Sequence, residues 1–229
     1  MTETSELPGA ARGSSTPGDL GGHHTRGLRR HPDGRSRCWW CGDDPAYVAY
    51  HDTEWGRPVH DEQQLFEKLC LEAFQAGLSW LTILRRREAL RAAFAGFDPE
   101  LVAAFSEADV TRLLGDASIV RNRAKILATI GNARALLELR RRGGHLGALV
   151  WSFAPAPAGR PRHPDDIPAR TPASTALARS LKDHGFRFVG PVTAYAFMQA
   201  MGLVDDHLDG CHVPREATAG TGEVSWAGD

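Results

Sequence analysis

Between Asp61 and Gly202 the apolar residues recur at spacings of three and four, and capping residues and glycines cut the pattern into pieces. That period is one face of a helix, and it limits this chain to a packing of helices. Leu65, Phe66, Leu69, Cys70 and Phe74 follow Asp61, which can cap the segment, and Gly77 breaks it. Ser79 opens a second helix carrying Leu81, Leu84, Leu90 and Phe94 and stopping at Gly96. Asp98-Pro99-Glu100 sets proline at a first helical position, ahead of Leu101, Val102 and Phe105. Ser106-Glu107-Ala108-Asp109 starts another helix that ends near Gly115. The longest periodic run, 118–142, holds Ile119, Ile126, Leu127, Ile130, Ala133, Leu136 and Leu137 and is closed by Gly143-Gly144. A short helix through Leu149 to Phe153, one from Ser174 to Asp183 and an apolar one from Pro191 to Gly202 complete the series. No stretch alternates as a half-buried strand would, so the predicted class is all-α.

The flanks read differently. Residues 1–36 are rich in Gly, Ser, Thr, Pro, Arg and His and are expected to be a disordered extension. The ordered domain is expected over 37–212, with a polar tail at 213–229. Residues 37–60 read as turns with a short helix around 45–50, and the six prolines of 154–173 mark a loop. There is no apolar run long enough to span a bilayer and no secretory core, so a cytoplasmic setting is expected. Net charge is −1, which excludes a global basic field. Basic runs at Arg85-Arg86-Arg87, Arg121-Asn122-Arg123-Ala124-Lys125 and Arg140-Arg141-Arg142 read most simply as solvated helix faces.

Three constellations carry chemistry. Four of the six tryptophans (Trp39, Trp40, Trp55 and Trp80) fall in one stretch with Tyr47 and Tyr50. Glu72 sits in the apolar helix beside them. A buried carboxylate is costly unless paired, so Glu72 faces solvent, a cavity mouth or a ligand. The aromatics suit either a core or a pocket for a flat, electron-poor ring. Leu78, at the tip of Ala76-Gly77-Leu78-Ser79, is a core leucine or an exposed wedge. Second, Cys38 and His51 near the start of the domain, with His207 and Cys211 near its end, form a Cys2His2 donor set of the kind that suits tetrahedral zinc. Such a site would be a structural clip. Cys38-x2-Cys41 is also a ligand-type spacing, so Cys41 competes with His51 for a place. Cys70 lies on an apolar face and reads as core, and His212 reads as exposed. Third, Gly185-Phe186-Arg187-Phe188-Val189-Gly190 joins two helices, either as a packing corner or as a turn that offers backbone N–H groups to a phosphate.

Longer motifs remove the ambiguity. Asp44-Pro45-x-Tyr47-x-x-Tyr50-His51-Asp52-x-Glu54-Trp55-Gly56, Leu71-Glu72-x-x-Gln75-Ala76-Gly77-Leu78-Ser79-Trp80, Gly131-Asn132-Ala133-Arg134-Ala135 and Phe188-Val189-Gly190 with Met198-Gln199-Ala200-x-Gly202-Leu203-Val204-x-Asp206-His207 closely resemble DNA-3-methyladenine glycosylase I, the Tag family. The resemblance spans about residues 37–212. It implies a helix-hairpin-helix DNA glycosylase fold with two helical lobes flanking a base pocket, and a structural zinc held by Cys38, His51, His207 and Cys211. The implied pocket uses Glu72 as the catalytic residue, with Trp40, Tyr47, Tyr50 and Trp80 around the base. Leu78 would enter the gap left by the extruded base, and Gly190 in the hairpin would meet the DNA backbone. The implied partner is double-stranded DNA containing alkylated adenine, and the enzyme would be a monomer that hydrolyses the glycosidic bond without strand cleavage. Of two rival readings, a catalytically idle lesion-binding module would release no base, and a zinc hydrolase would keep an open metal position. Asp205 stands where other helix-hairpin-helix glycosylases use an aspartate, and it is expected at most to help electrostatically. Phe74, Ser118 and Ala124 depart from the family pattern, and Phe74, beside the wedge, could alter contacts with the opposite strand.

Overall fold

The computed structural model describes residues 27–215. Most of the expected extension and the end of the tail therefore lie outside the described residues. A two-stranded antiparallel hairpin comes first, β1 (Leu28–Arg30) against β2 (Ser36–Cys38). It lies inside the stretch expected to be disordered, and it corrects both the boundary at Arg37 and the purely helical class. Strands of three residues with five arginines in and around them show no alternation. What holds them is tertiary: Leu28 packs on Cys38, Leu208, Cys211 and Val213. Arg37, buried, bonds Asp33 across the turn and Asp52 on the next helix.

Ten helices follow among the described residues. They are α1 (Pro45–Thr53), α2 (Glu62–Gln75), α3 (Trp80–Leu84), α4 (Arg87–Ala93), α5 (Pro99–Ala103), α6 (Glu107–Gly115), α7 (Arg123–Arg141), α8 (Leu146–Trp151), α9 (Pro172–Asp183) and α10 (Pro191–Ala200). The expected caps are in place. Asp61 accepts from Gln64 N at 2.8 Å, Ser79 from Thr82 N at 3.2 Å, and Asp98 from Glu100 N at 2.8 Å. Each satisfies a backbone donor that the first turn cannot. The helix expected from Ser79 to Gly96 is instead two, divided at Arg85–Arg86. Arg86 leaves helical geometry while its guanidinium donates to the carbonyls of Ala117 and Ser118. No glycine or proline marks that break.

α2 runs through the middle. Leu65, Phe66, Leu69, Cys70 and Phe74 are fully buried and meet α7, α8 and α10. Each such side chain contributes about 1.5–3 kcal/mol by leaving water. Cys70 is core, as expected, and burial pushes its thiol pKa up. Phe74 is fully buried and packs edge-on against Phe94, so it presents no side-chain surface beside Leu78. Past α2, Gly77 takes φ +81°, and the Lys125 ammonium donates to the carbonyls of Phe74 and Ala76. A member of an expected surface run is thus a buried clamp on the helix end. The other runs are mostly paired: Arg85 with Asp44, Arg87 with Glu54, Arg140 with Glu62, and Arg141 and Arg142 with Glu138.

α9 and α10 pack together across the turn at 184–190. Phe186 and Val189 are buried and fix the turn to the core, while Phe188 takes φ +58° and is exposed. Asn132 on α7 bonds both backbone polar groups of one residue in that turn. Its Oδ1 accepts from Arg187 N at 2.7 Å and its Nδ2 donates to Arg187 O at 3.2 Å. No described helix is long and apolar enough to cross a membrane.

Candidate active site and metal centre

The aromatic stretch folds around a cavity of about 260 Å³. The short turn Trp39–Cys41 supplies Trp40, α1 supplies Tyr47 and Tyr50, α2 supplies Glu72 and α3 begins with Trp80. All five residues expected at a base pocket thus line one space. Trp40 lies 5.1 Å from Tyr47 and 4.9 Å from Trp55 between ring centres, and Tyr50 lies 5.3 Å from Trp80. Burial pushes the Tyr47 phenol up to about 12 and the Tyr50 phenol well above its ordinary value, so both stay protonated at neutral pH. The indole Nε1 of Trp80 is buried without a hydrogen-bond partner, an orphan donor in the wall.

Other contributors were not read from the sequence. Gln75, one turn after Glu72, and Gln199 on α10 bring amides to the cavity. Gln199 Nε2 donates to Asp206 Oδ2 at 2.8 Å, and Tyr195 Oη donates to the same oxygen at 2.5 Å. Ile167 reaches the cavity from the proline-rich loop. Lys68 lies one turn before Glu72, its Nζ 2.8 Å from Glu72 Oε1. The i, i+4 Lys–Glu spacing was the available signal. Asp205 is elsewhere: Arg160 Nε donates to it at 2.8 Å, and it sits with His207 and Val213 away from the aromatic cavity. Through Arg160, which also donates to the Val213 carbonyl, Asp205 is tied to the proline-rich loop and the segment at Val213.

The second site is a metal-type cluster. Cys38, His51, His207 and Cys211 are buried, with ligand atoms all within 4.8 Å of one another. Cys211 Sγ is 3.5 Å from His51 Nε2 and 3.6 Å from His207 Nδ1, and Cys38 Sγ is 3.7 Å from His207 Nδ1. Donors at about 2.0–2.3 Å from a tetrahedral ion stand about 3.5 Å apart, so the spacing fits. The far ring nitrogens fix the tautomers: His51 Nδ1 bonds Asp52 at 2.8 Å and His207 Nε2 bonds the Trp55 carbonyl at 3.1 Å. Each histidine then turns an unprotonated nitrogen to the thiols, the arrangement ligating histidines use. Cys38 is raised by its bond to Cys211 and by burial, and Cys211 is lowered by accepting from Cys38. Cys41 is outside the cluster, its thiol donating to the Cys38 carbonyl at 3.2 Å. His212 is half-buried rather than exposed and bonds Asp52 at 2.9 Å.

The methyladenine glycosylase family model matches residues 40–214. The chain belongs to the methyladenine glycosylase family. An Escherichia coli (strain K12) member, DNA-3-methyladenine glycosylase 1, is 51% identical over 177 residues, covering 76% of this chain and 95% of its own. A crystal structure of 3-methyladenine DNA glycosylase I superposes with a TM-score of 0.76 at 50% identity, covering 78% of this chain and all of that one. A second glycosylase I of the family, a tyrosine-to-phenylalanine variant in complex with 3-methyladenine, gives a TM-score of 0.75 at 37% identity and covers 79% and 99% of the two chains. The family match begins after the β1–β2 hairpin.

The loop carrying Leu78 and the turn carrying Gly190 are the remaining expected contacts. Leu78 is 41% exposed, so of its two readings, core leucine and exposed wedge, the core one fails. Gly190 is the N-cap of α10, ahead of Pro191, and supplies no side chain to close that helix end.

Proposed function

We propose that this chain removes 3-methyladenine from alkylated double-stranded DNA by hydrolysing its N-glycosidic bond, leaving the strand intact. The observation that carries this reading is a buried carboxylate, Glu72, opening into a cavity walled by Trp40, Tyr47, Tyr50 and Trp80. Methylation at N3 makes adenine cationic and a good leaving group. Little acid catalysis is then needed, and the site's task is to select and hold the cation. The aromatic faces attract it and the Glu72 carboxylate offers a charge-assisted hydrogen bond.

The base must first leave the stack, at a cost of a few kcal/mol. Exposed Leu78, on a loop whose base Lys125 clamps, would fill the gap. The turn at 184–190 with Gly190 and the α10 N-terminus forms the hairpin of a helix-hairpin-helix element and offers N–H groups to a phosphate. Water then takes the sugar carbon as the bond breaks. The Lys68 amine is enclosed by Glu72, Tyr50 and Trp80, which supports hydrolysis over attack by an amine and strand cleavage. Zinc fits the Cys2His2 set, and with four protein ligands it is structural, supplying a clip rather than a reactive water. The enzyme acts as a monomer.

The test is chromatography of bases released from methylated duplex DNA. Release of 3-methyladenine supports the reading, and a folded, metal-loaded protein that releases nothing overturns it in favour of a lesion-binding module. Asn132→Ala tests the hairpin. It removes both hydrogen bonds to Arg187, each worth about 1 kcal/mol. Duplex affinity is expected to fall several-fold while the aromatic cavity is unchanged, measured by fluorescence anisotropy; unchanged affinity would take the hairpin out of the interface.

A further inference from the structure

A lysine is buried behind the aromatic wall. Lys68 is 5% exposed, and its ammonium has three partners: Glu72 Oε1 at 2.8 Å, Tyr50 Oη at 2.9 Å, and the Trp80 ring, whose centre lies 3.3 Å away. The side chain borders a second cavity, of about 230 Å³, which shares Tyr50 and Trp80 with the first and is otherwise lined by groups such as Glu54, Glu67, Arg87 and Arg91. One face of the Trp80 indole is thus taken by a cation before any base arrives.

We propose that Lys68 is a positioning residue of the base site, holding the Glu72 carboxylate ionised and aimed while reserving one face of Trp80, so that charge selection falls on Glu72. This rests on the glycosylase reading above. A carboxylate 5% exposed among rings would take up a proton rather than remain charged in isolation. The ammonium one turn away supplies the compensation. Burial lowers the Lys68 pKa, and the Glu72 carboxylate opposes that shift. The two stand 2.8 Å apart, each the nearest opposite charge the other has. The surrounding groups do not replace it. Arg57, which also lines this cavity, donates to the Asp52 carbonyl, Arg87 is engaged by Glu54 through both terminal guanidinium nitrogens and Arg91 by Glu67, while Tyr47 and Tyr50 stay neutral. A second consequence follows at the ring. A π face that already attracts one cation is a weaker attractor for another through its opposite side, so Trp80 contributes mainly stacking and Glu72 carries the preference for a charged base.

The experiment is the pH profile of base release for wild type, Lys68→Met and Lys68→Arg, with binding to a duplex carrying a stable abasic analogue as a control for folding and DNA contact. Wild-type release tests the glycosylase reading by itself, and the ratio of variant to wild type tests Lys68. In Lys68→Met the carboxylate protonates at a higher pH, and activity that needs it ionised is lost as pH falls through that value. The expected result is roughly tenfold lower kcat/KM at about pH 6, recovery above about pH 8, unchanged abasic-duplex binding, and a near-wild-type profile in Lys68→Arg. A wild-type-like profile in Lys68→Met, or an equal loss at every pH, overturns the proposal. Infrared difference spectra of wild type minus Glu72→Gln give a reading that needs neither turnover nor a folded Lys68 variant. An ionised-carboxylate band persisting to about pH 5 supports the proposal, and its protonation near neutrality overturns it.

Discussion

Replacing Cys211 with alanine is expected to lower the melting temperature by about 10–20 °C and to abolish stoichiometric metal binding. The reason is the length of chain the cluster closes. Cys38 and His51 come from one end of the domain, His207 and Cys211 from the other, with 155 residues between the two histidines. Cross-linking a loop of that size is worth about 5 kcal/mol on the chain-entropy scale. For a domain of this size each kcal/mol moves the midpoint by about 2–4 °C. Chelation of wild-type protein should reproduce the shift, and Cys41→Ala should keep its metal because Cys41 is outside the cluster. Calorimetry with metal analysis checks all three. A Cys211→Ala protein that melts like wild type but fails to release base would mean an open, reactive metal position and would return the zinc-hydrolase reading.

Glu72→Gln is expected to lower kcat/KM for 3-methyladenine release by about 10- to 100-fold with abasic-duplex binding unchanged. A hydrogen bond to a charged group is worth about 1.5–3 kcal/mol. Glutamine keeps the shape and one acceptor but removes the charge that answers a cationic base. The substitution also strands Lys68 beside a neutral amide, so a drop of about 1–3 kcal/mol in stability should accompany it. Trp80→Ala is the less clean probe, since it removes stacking, about 1–3 kcal/mol per base, together with the ring under which Lys68 sits. Single-turnover release on methylated duplex gives the rate. Excision by Glu72→Gln at the wild-type rate would remove Glu72 from the chemistry.

Much of the helical framework is written locally. Asp61, Ser79, Asp98 and Ser106 announce helix starts because a cap is a contact between residues two or three apart. The four clustered ligands and the five pocket residues were legible through motifs, and the structure brings each set together. What escaped depends on distant partners. The β1–β2 hairpin exists because Leu28 finds Leu208 and Arg37 finds Asp52. Lys68 and Lys125 look like surface charge in the sequence and are buried by α1, α3 and the end of α2. Asp205 stood at a suggestive position, yet Arg160, from the proline-rich loop, decides where it sits.

The arrangement of the clip also sets an order of events. Two of its ligands are made early and two near the end of the described chain, so no growing fragment on the ribosome can complete the set before Cys211 has emerged. Cys38 and His51 alone offer half a site. Capture of the proposed metal would therefore wait for Cys211, and it would read out whether the last helices have docked onto the first. With the proposed ion withheld, the first and last helices would be left without the link that joins them.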